Sequence, residues 1–290
     1  MGIVPGTSTA QELVKYPRTR HIEGSRLQPG DEDLDQVPFT QLAGKHLVIE
    51  EKLDGANVGI SFGPRGCMFL QSRGHFLAGG PRERHFGRLK GWAGVHQRAL
   101  WEAIGDCYVL YGEWLAAKHT VFYDDLPHLL FEFDVLDRST GRFLDTPSRR
   151  DLLAGAPTVP VPVLHIGEIA DLNGLTGYVR PSLYKTAQWR ARLADQAVTA
   201  GQDPARVAAE TDSSDLAEGL YIKWEQNGYV QDRYKWVRPG FLNTILNPEG
   251  TPSSHWLDRP HIPNLLADGA DLYAPTLTAN MTALRPGQIA

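Results

Sequence analysis

The chain has 290 residues, enough to bury a full core in one large domain or in one domain with a small appendage. A net charge of −5 argues mildly against nonspecific coating of nucleic acid and leaves the distribution of basic residues to decide. Two cysteines with no Cys-x-x-Cys pair exclude a disulfide framework and a zinc knuckle, and no apolar run approaches membrane-spanning length. The first residues carry no basic-then-apolar signal, so a cytoplasmic protein is expected.

Lys15, Arg18, Arg20 and His21 form a basic cluster, and the acidic run 31–35 after it reads as a solvated turn. The stretch HLVIEEKLDGANVGISF (46–62) places two apolar alternating runs around a tight connection containing Gly55, which predicts strand, turn, strand. Lys52 closes the first run, two residues before Asp54. A lysine held there is either a salt-bridge partner at a hairpin or, once deprotonated, a nucleophile. A short strand is predicted over 67–71. Beyond it Arg73, Arg82, Arg84, Arg88 and Lys90 face only Glu83, with Phe76, Phe86 and Trp92 interleaved. Such a segment suits a phosphate backbone with stacked bases; it equally fits a charged loop whose aromatics pack inward. A short helix is predicted over 94–104.

Strands are predicted over 107–115, with Glu113 just past a glycine, and over 129–137. Strict alternation in the latter puts Leu129, Phe131, Phe133 and Val135 on one face and Leu130, Glu132, Asp134 and Leu136 on the other. Unpaired carboxylates are costly inside such strands, so Glu132 and Asp134 either meet cations, mark a cleft or face solvent. Residues 181–211 are the most helical region, with Asp203 as an N-cap and Pro204 at the first helical position; these helices read as packing elements or a lid. The last clear unit, 218–238, is a hairpin around Asn227-Gly228. Arg233 and Lys235 would project from one of its faces, and two such cations need an anion between them. The final ~50 residues, rich in proline, read as a loosely structured tail.

In chain order, the short signatures are Lys52-Leu53-Asp54-Gly55, Ser72-Arg73-Gly74, Tyr111-Gly112-Glu113, Phe133-Asp134, Glu218-Gly219 and Arg233-Tyr234-Lys235, each within or at the end of a predicted strand. Together they resemble the covalent nucleotidyltransferase superfamily of ATP-dependent polynucleotide ligases and mRNA capping enzymes, and most of all its RNA ligases. The resemblance implies an α+β, antiparallel-sheet adenylylation domain with flanking helices over residues 1–240, including an N-terminal extension. Residues 241–290 would be a short tail packed on it, without the oligonucleotide-binding barrel of DNA ligases and capping enzymes.

The resemblance also assigns roles. Lys52 would attack the ATP α-phosphate and carry AMP, its amine kept neutral by Lys235, Arg233 and a divalent metal. Arg233 and Lys235 would neutralise the α-phosphate oxygens. Asp54 and Asn57 would order the turn and contact the leaving group or the 3′ end, and Arg73 would hold the ribose. Glu113 would accept from the ribose hydroxyls, Phe133 would stack on adenine with Phe131 as its same-face rival, and the backbone beside Glu51 would read the adenine edge. Glu218 would support Mg²⁺ or Mn²⁺, and Lys223 is a further nucleotide-binding candidate. The implied activity joins RNA 5′-phosphate and 3′-hydroxyl ends in RNA repair, with an end-healing kinase or phosphatase as a partner enzyme. A DNA-joining ligase, a guanylyltransferase relative and a non-catalytic RNA-end-binding protein are the alternatives; labelling by ATP or GTP separates the nucleotide choices, and sealing of nicked duplexes with RNA or DNA on each side separates the rest.

Overall fold

A computed structural model describes residues 12–27, 31, 33–241 and 260–274. Its strands, in chain order, are β1 (Arg20–Ile22), β2 (Gln36–Val37), β3 (Leu47–Lys52), β4 (Ala56–Phe62), β5 (Met68–Ser72), β6 (Tyr108–Trp114), β7 (Leu130–Asp137), β8 (Arg142–Phe143), β9 (Val159–Pro160), β10 (Val163–Gly167), β11 (Gly219–Gln226) and β12 (Tyr229–Val237). The helices are α1 (Gly87–Ile104), α2 (Thr146–Leu152), α3 (Leu172–Thr176), α4 (Trp189–Thr199) and α5 (Pro204–Ala209). The architecture is α+β, as expected.

One sheet has the order β10-β3-β11-β12-β1-β2 and the other β5-β4-β6-β7-β8, with β9 alongside β7. The long central strands pair antiparallel. The marginal strands β5, β8 and β10 also pair antiparallel, and only the short strands β1, β2 and β9 pair parallel and depart from the expected pattern. Alternation on the first sheet explains its two faces. Leu47, Ile49, Leu220, Ile222, Tyr234 and Trp236 turn outward into a core closed by Ile22, Val37, Phe39 and Leu175. The residues between them, Glu50, Lys52, Tyr221, Lys223, Arg233 and Lys235, turn toward the second sheet. The β11–β12 turn is the Asn227-Gly228 pair, with φ of 55° and 81°, the left-handed conformation that a two-residue hairpin needs.

Strands β1, β2 and β8 and helices α2 and α3 have no predicted counterpart, and two predicted elements differ. Helix α1 begins at Gly87 rather than Gly94, because Leu89, Trp92 and Ala93 extend its buried face in step with Leu100 and Ile104. Residues 260–274 form no helix or strand, as expected of a loose tail, yet they are packed beside residues 115–128 by backbone hydrogen bonds, among them Lys118 N–H to Ile262 O (2.8 Å) and Leu265 N–H to Tyr123 O (3.0 Å). The remainder of the predicted tail lies outside the described residues. The N-cap at Asp203 is formed, its carboxylate accepting from Ala205 and Arg206 N–H. No helix among the described residues is long and apolar enough to cross a membrane.

Candidate active site

A cleft of about 710 Å³ opens between the two sheets, at the connection from β3 to β4. Lys52, at the end of β3, is the last residue of the strand to pair with β11, opposite Gly219. Gly219 is obligatory there: a Cβ would lie 2.0 Å from the carbonyl oxygen of Trp236. Its predecessor Glu218, fully buried, receives the Lys52 ammonium at 2.7 Å, while the Lys52 side chain keeps 20% exposure to the cleft. The turn after Lys52 is pinned on both sides. Gly55 N–H donates to Glu113 Oε1 at 3.0 Å, and a Cβ on Gly55 would strike Leu115 and the Trp114 carbonyl. Asp54 Oδ2 accepts from the amides of Thr120 and Val121, each at 2.7 Å, and Asp54 N–H donates to the Tyr123 hydroxyl at 2.8 Å.

The electrostatics correct one expectation. Burial pushes the Lys52 amine down, but Glu218 foremost, then Glu113 and Asp54, more than offset it and hold the amine above its ordinary value. Among the protein's own groups the carboxylates therefore hold the lysine as an ammonium, and Lys235 and Arg233 do not bring it below its ordinary value. Burial raises Glu113 to about 8, against the pull of Lys52, and raises Glu218 as well. Lys235 does face the cleft; burial and then the nearby Lys52 depress it, and it is salt-bridged to Asp31.

Of the other sequence-nominated residues, Glu51, Asp54, Asn57, Arg73, Glu113 and Phe133 line the cleft, Arg73 at the exposed rim. Phe133 reaches it through a bulge. Tyr111 pairs with Asp134 and Gly112 with Glu132, so Phe133 has no partner on β6, and the strict alternation predicted for this strand breaks there. Its rival Phe131 packs on Tyr184 instead, ring centroids 5.0 Å apart. Glu51 adds its carboxylate to Ser182 Oγ at 2.5 Å, and burial raises it to about 7.

Two nominated cations lie elsewhere. Lys223 is buried in an ion network, 3.0 Å from both Glu50 and Asp134, and donates to the Phe133 carbonyl. Arg149 completes that network, 2.9 Å from Glu50 and 3.2 Å from Glu132. Arg233 shares its strand face with Lys235 as expected, yet it does not line the cleft. It stacks over Phe143 and lies 3.6 Å from Asp134. The anion expected between Arg233 and Lys235 is thus replaced by two protein carboxylates, one for each.

The sequence reading missed Asp31, Tyr16 and Tyr221. The acidic turn is solvated at Asp33 and Asp35, but Asp31 is buried and meets Lys235, His21 and Arg18. Burial opposes its ionisation, but Lys235 and then His21 and Arg18 win and hold it at about 2. Arg18 also pairs with Asp33, and Arg20 with Asp232, so most of the basic cluster is internally neutralised. Tyr16 and Tyr221 line the cleft beside Phe133, their hydroxyls joined to each other and to Asp134. Tyr221 was legible from its alternation with Gly219 and Lys223; nothing local marked Tyr16. In the 73–92 segment Phe86 and Trp92 pack inward, while Arg73, Arg84 and Arg88 are exposed.

A lysine on the wall of an inter-sheet cleft, backed by a buried glutamate and faced by a second lysine, sits within the part of the sequence that a known family covers. Residues 45–237, about two thirds of the chain, match the RNA ligase family. The protein belongs to that family. No curated protein matches it. The solved structures it is similar to include an archaeal ATP-dependent RNA ligase, form 2, at 17% identity, with 78% of this chain and 48% of that one covered and a TM-score of 0.45. A Naegleria gruberi RNA ligase mutant with ATP and Mn gives 16% identity over 69% of this chain and 51% of that one, TM-score 0.44. Another mutant of that ligase, also with ATP and Mn, gives 15% identity over 79% and 57%, TM-score 0.48. The chain spans about half the length of these structures.

Proposed function

We propose that the protein is an ATP-dependent RNA ligase that joins a 5′-phosphate to a 3′-hydroxyl during RNA repair. The observation that carries this reading is the Lys52 amine, open to the cleft yet hydrogen-bonded to buried Glu218 at 2.7 Å, with Lys235 beside it. Glu218, raised by burial, is within reach to take the ammonium proton as the amine turns to phosphorus. The nitrogen then forms a bond to the ATP α-phosphorus and pyrophosphate leaves. AMP passes next to the RNA 5′-phosphate, and the 3′-hydroxyl finally displaces it.

Lys235 neutralises charge on the α-phosphate oxygens as it develops. Arg233 supports the cleft wall through Asp134 and Tyr16 and is not assigned to the phosphate. Phe133 stacks on the nucleobase, with Tyr221 across from it at 6.0 Å between ring centroids. Glu113 accepts from the ribose, the backbone beside Glu51 reads the base edge, and Asn57 and Arg73 hold the leaving group or the RNA end.

Three carboxylates around one ammonium suit a divalent cation, which binds through one or two carboxylates and the substrate's phosphates. Among the described residues no group of three or more ligands is gathered for a self-sufficient metal site. In its ionised form Glu218 would support Mg²⁺ or Mn²⁺, whose chemistry would be the neutralisation of phosphoryl oxygens.

The test is incubation with α-labelled ATP or GTP and magnesium. Covalent label from ATP is expected, lost in Lys52→Ala, followed by sealing of nicked duplexes that carry RNA at the junction. No label from either nucleotide, or sealing of DNA alone, refutes the reading.

A further inference from the structure

The stretch that matches the RNA ligase family ends at residue 237, yet a segment beyond it packs on residues 115–128, one of which, Tyr123, holds the turn after Lys52. Within 260–274, Asn264 is buried and both ends of its side-chain amide are engaged. Its Oδ1 accepts from Tyr123 N–H at 3.0 Å, and its Nδ2 donates to the Leu115 carbonyl at 2.9 Å. The next residue, Leu265, donates to the Tyr123 carbonyl at 3.0 Å. Tyr123 is thus held on both sides of its backbone by this strap, and its hydroxyl in turn accepts from Asp54 N–H at 2.8 Å. Asn264 touches neither Lys52 nor Asp54.

We propose that Asn264 is a positioning residue for Lys52, acting through Tyr123 and Asp54. The path is a run of hydrogen bonds: Asn264 fixes where the Tyr123 backbone lies, this fixes where the phenol oxygen lies, and the phenol fixes the amide two residues after Lys52. A buried amide with both ends satisfied has one low-energy placement, since turning it over would set like groups against each other. An attack on phosphorus needs its reacting atoms aligned, and a displacement of about 1 Å can cost on the order of a hundredfold in rate. The role rests on the reading of Lys52 as the residue that becomes adenylylated.

Two measurements test it. Hydrogen exchange of the Asp54 amide reads the path without reference to any activity. Single-turnover labelling of Lys52 by ATP reads its consequence. In Asn264→Ala the Asp54 amide is expected to exchange about tenfold faster, and the labelling rate to fall by about tenfold or more at saturating ATP, with ATP affinity unchanged. Asn264→Asp, which keeps the acceptor for Tyr123 but sets a second acceptor against the Leu115 carbonyl, is expected to recover neither. Tyr123→Phe, which removes one hydroxyl, should reproduce both effects and decides the matter if Asn264→Ala does not fold.

Unchanged Asp54 exchange in Asn264→Ala, or in Tyr123→Phe, overturns the proposal. So does a labelling rate within about twofold of wild type when that exchange is raised. A wild-type protein that takes no label refutes the ligase reading and, with it, a role in placing the nucleophile. Raised Asp54 exchange in the variants would then show that the path itself still stood.

Discussion

Neighbouring residues of β3 face two differently built groups of charges. Glu50 meets Lys223 and Arg149, which also meet Asp134 and Glu132, all of them buried. Two strand positions on, Lys52 meets Glu218, Glu113 and Asp54 at a cleft open to water. In the first group three cations, Lys223, Arg149 and Arg233, meet three carboxylates; burial raises Glu132 and works against Asp134 too, but Lys223 and then Arg233 bring Asp134 below its ordinary range. In the second, with Lys235 already salt-bridged to Asp31, Lys52 is shared among Glu218, Glu113 and Asp54, and burial leaves Glu113 at about 8. Matched buried charge holds the two sheets in register and has no spare capacity. Unmatched charge beside solvent is poised for a ligand that restores the balance. The difference separates Lys223, a structural lysine, from Lys52.

The sharpest way to break the comparison is to remove each lysine's group in turn. Lys52→Ala is expected to abolish covalent labelling by ATP while shifting Tm by no more than about 4 °C, because Glu218 can take up a proton. A large loss of stability would place Lys52 with the structural charges. Arg149→Met should do the reverse, leaving Glu50 and Glu132 undercompensated at a cost of about 3–5 kcal/mol in urea unfolding at pH 7. A neutral result there would mean that the network is not what joins the sheets.

A finer test changes the imbalance itself. Glu218→Gln removes the foremost influence holding the Lys52 amine up, so its titration, followed by acylation of that lysine and mass spectrometry, is expected to move to lower pH. An unmoved midpoint would show that Glu218 does not govern the amine. The smallest effect concerns Glu51. Its folded-state value of about 7 lies above an unfolded value near 4.5, so the folded state binds the extra proton between these limits. Its contribution is therefore fully present at low pH and lost as pH rises from about 4.5 through 7. Glu51→Gln should remove that loss, so that the variant's Tm gains on the wild type across this window. Parallel Tm curves would mean that Glu51 stays ionised.

The sequence by itself determined the long strands, the Asn227-Gly228 hairpin, the Asp203 cap and the order of the short signatures. Those depend on alternation, turn conformation and capping, which are local properties of the chain. It also put Lys52, Glu113, Phe133 and Lys235 forward as residues that belong together, and all four gather at one cleft or on its wall. Only the tertiary structure decided which charge met which. Asp31 finds Lys235, Arg233 finds Asp134, and Asn264 finds Tyr123, each across a long stretch of intervening chain. Electrostatic pairing and buried hydrogen bonding act through space, and periodicity along the chain carries no record of the distances that set them.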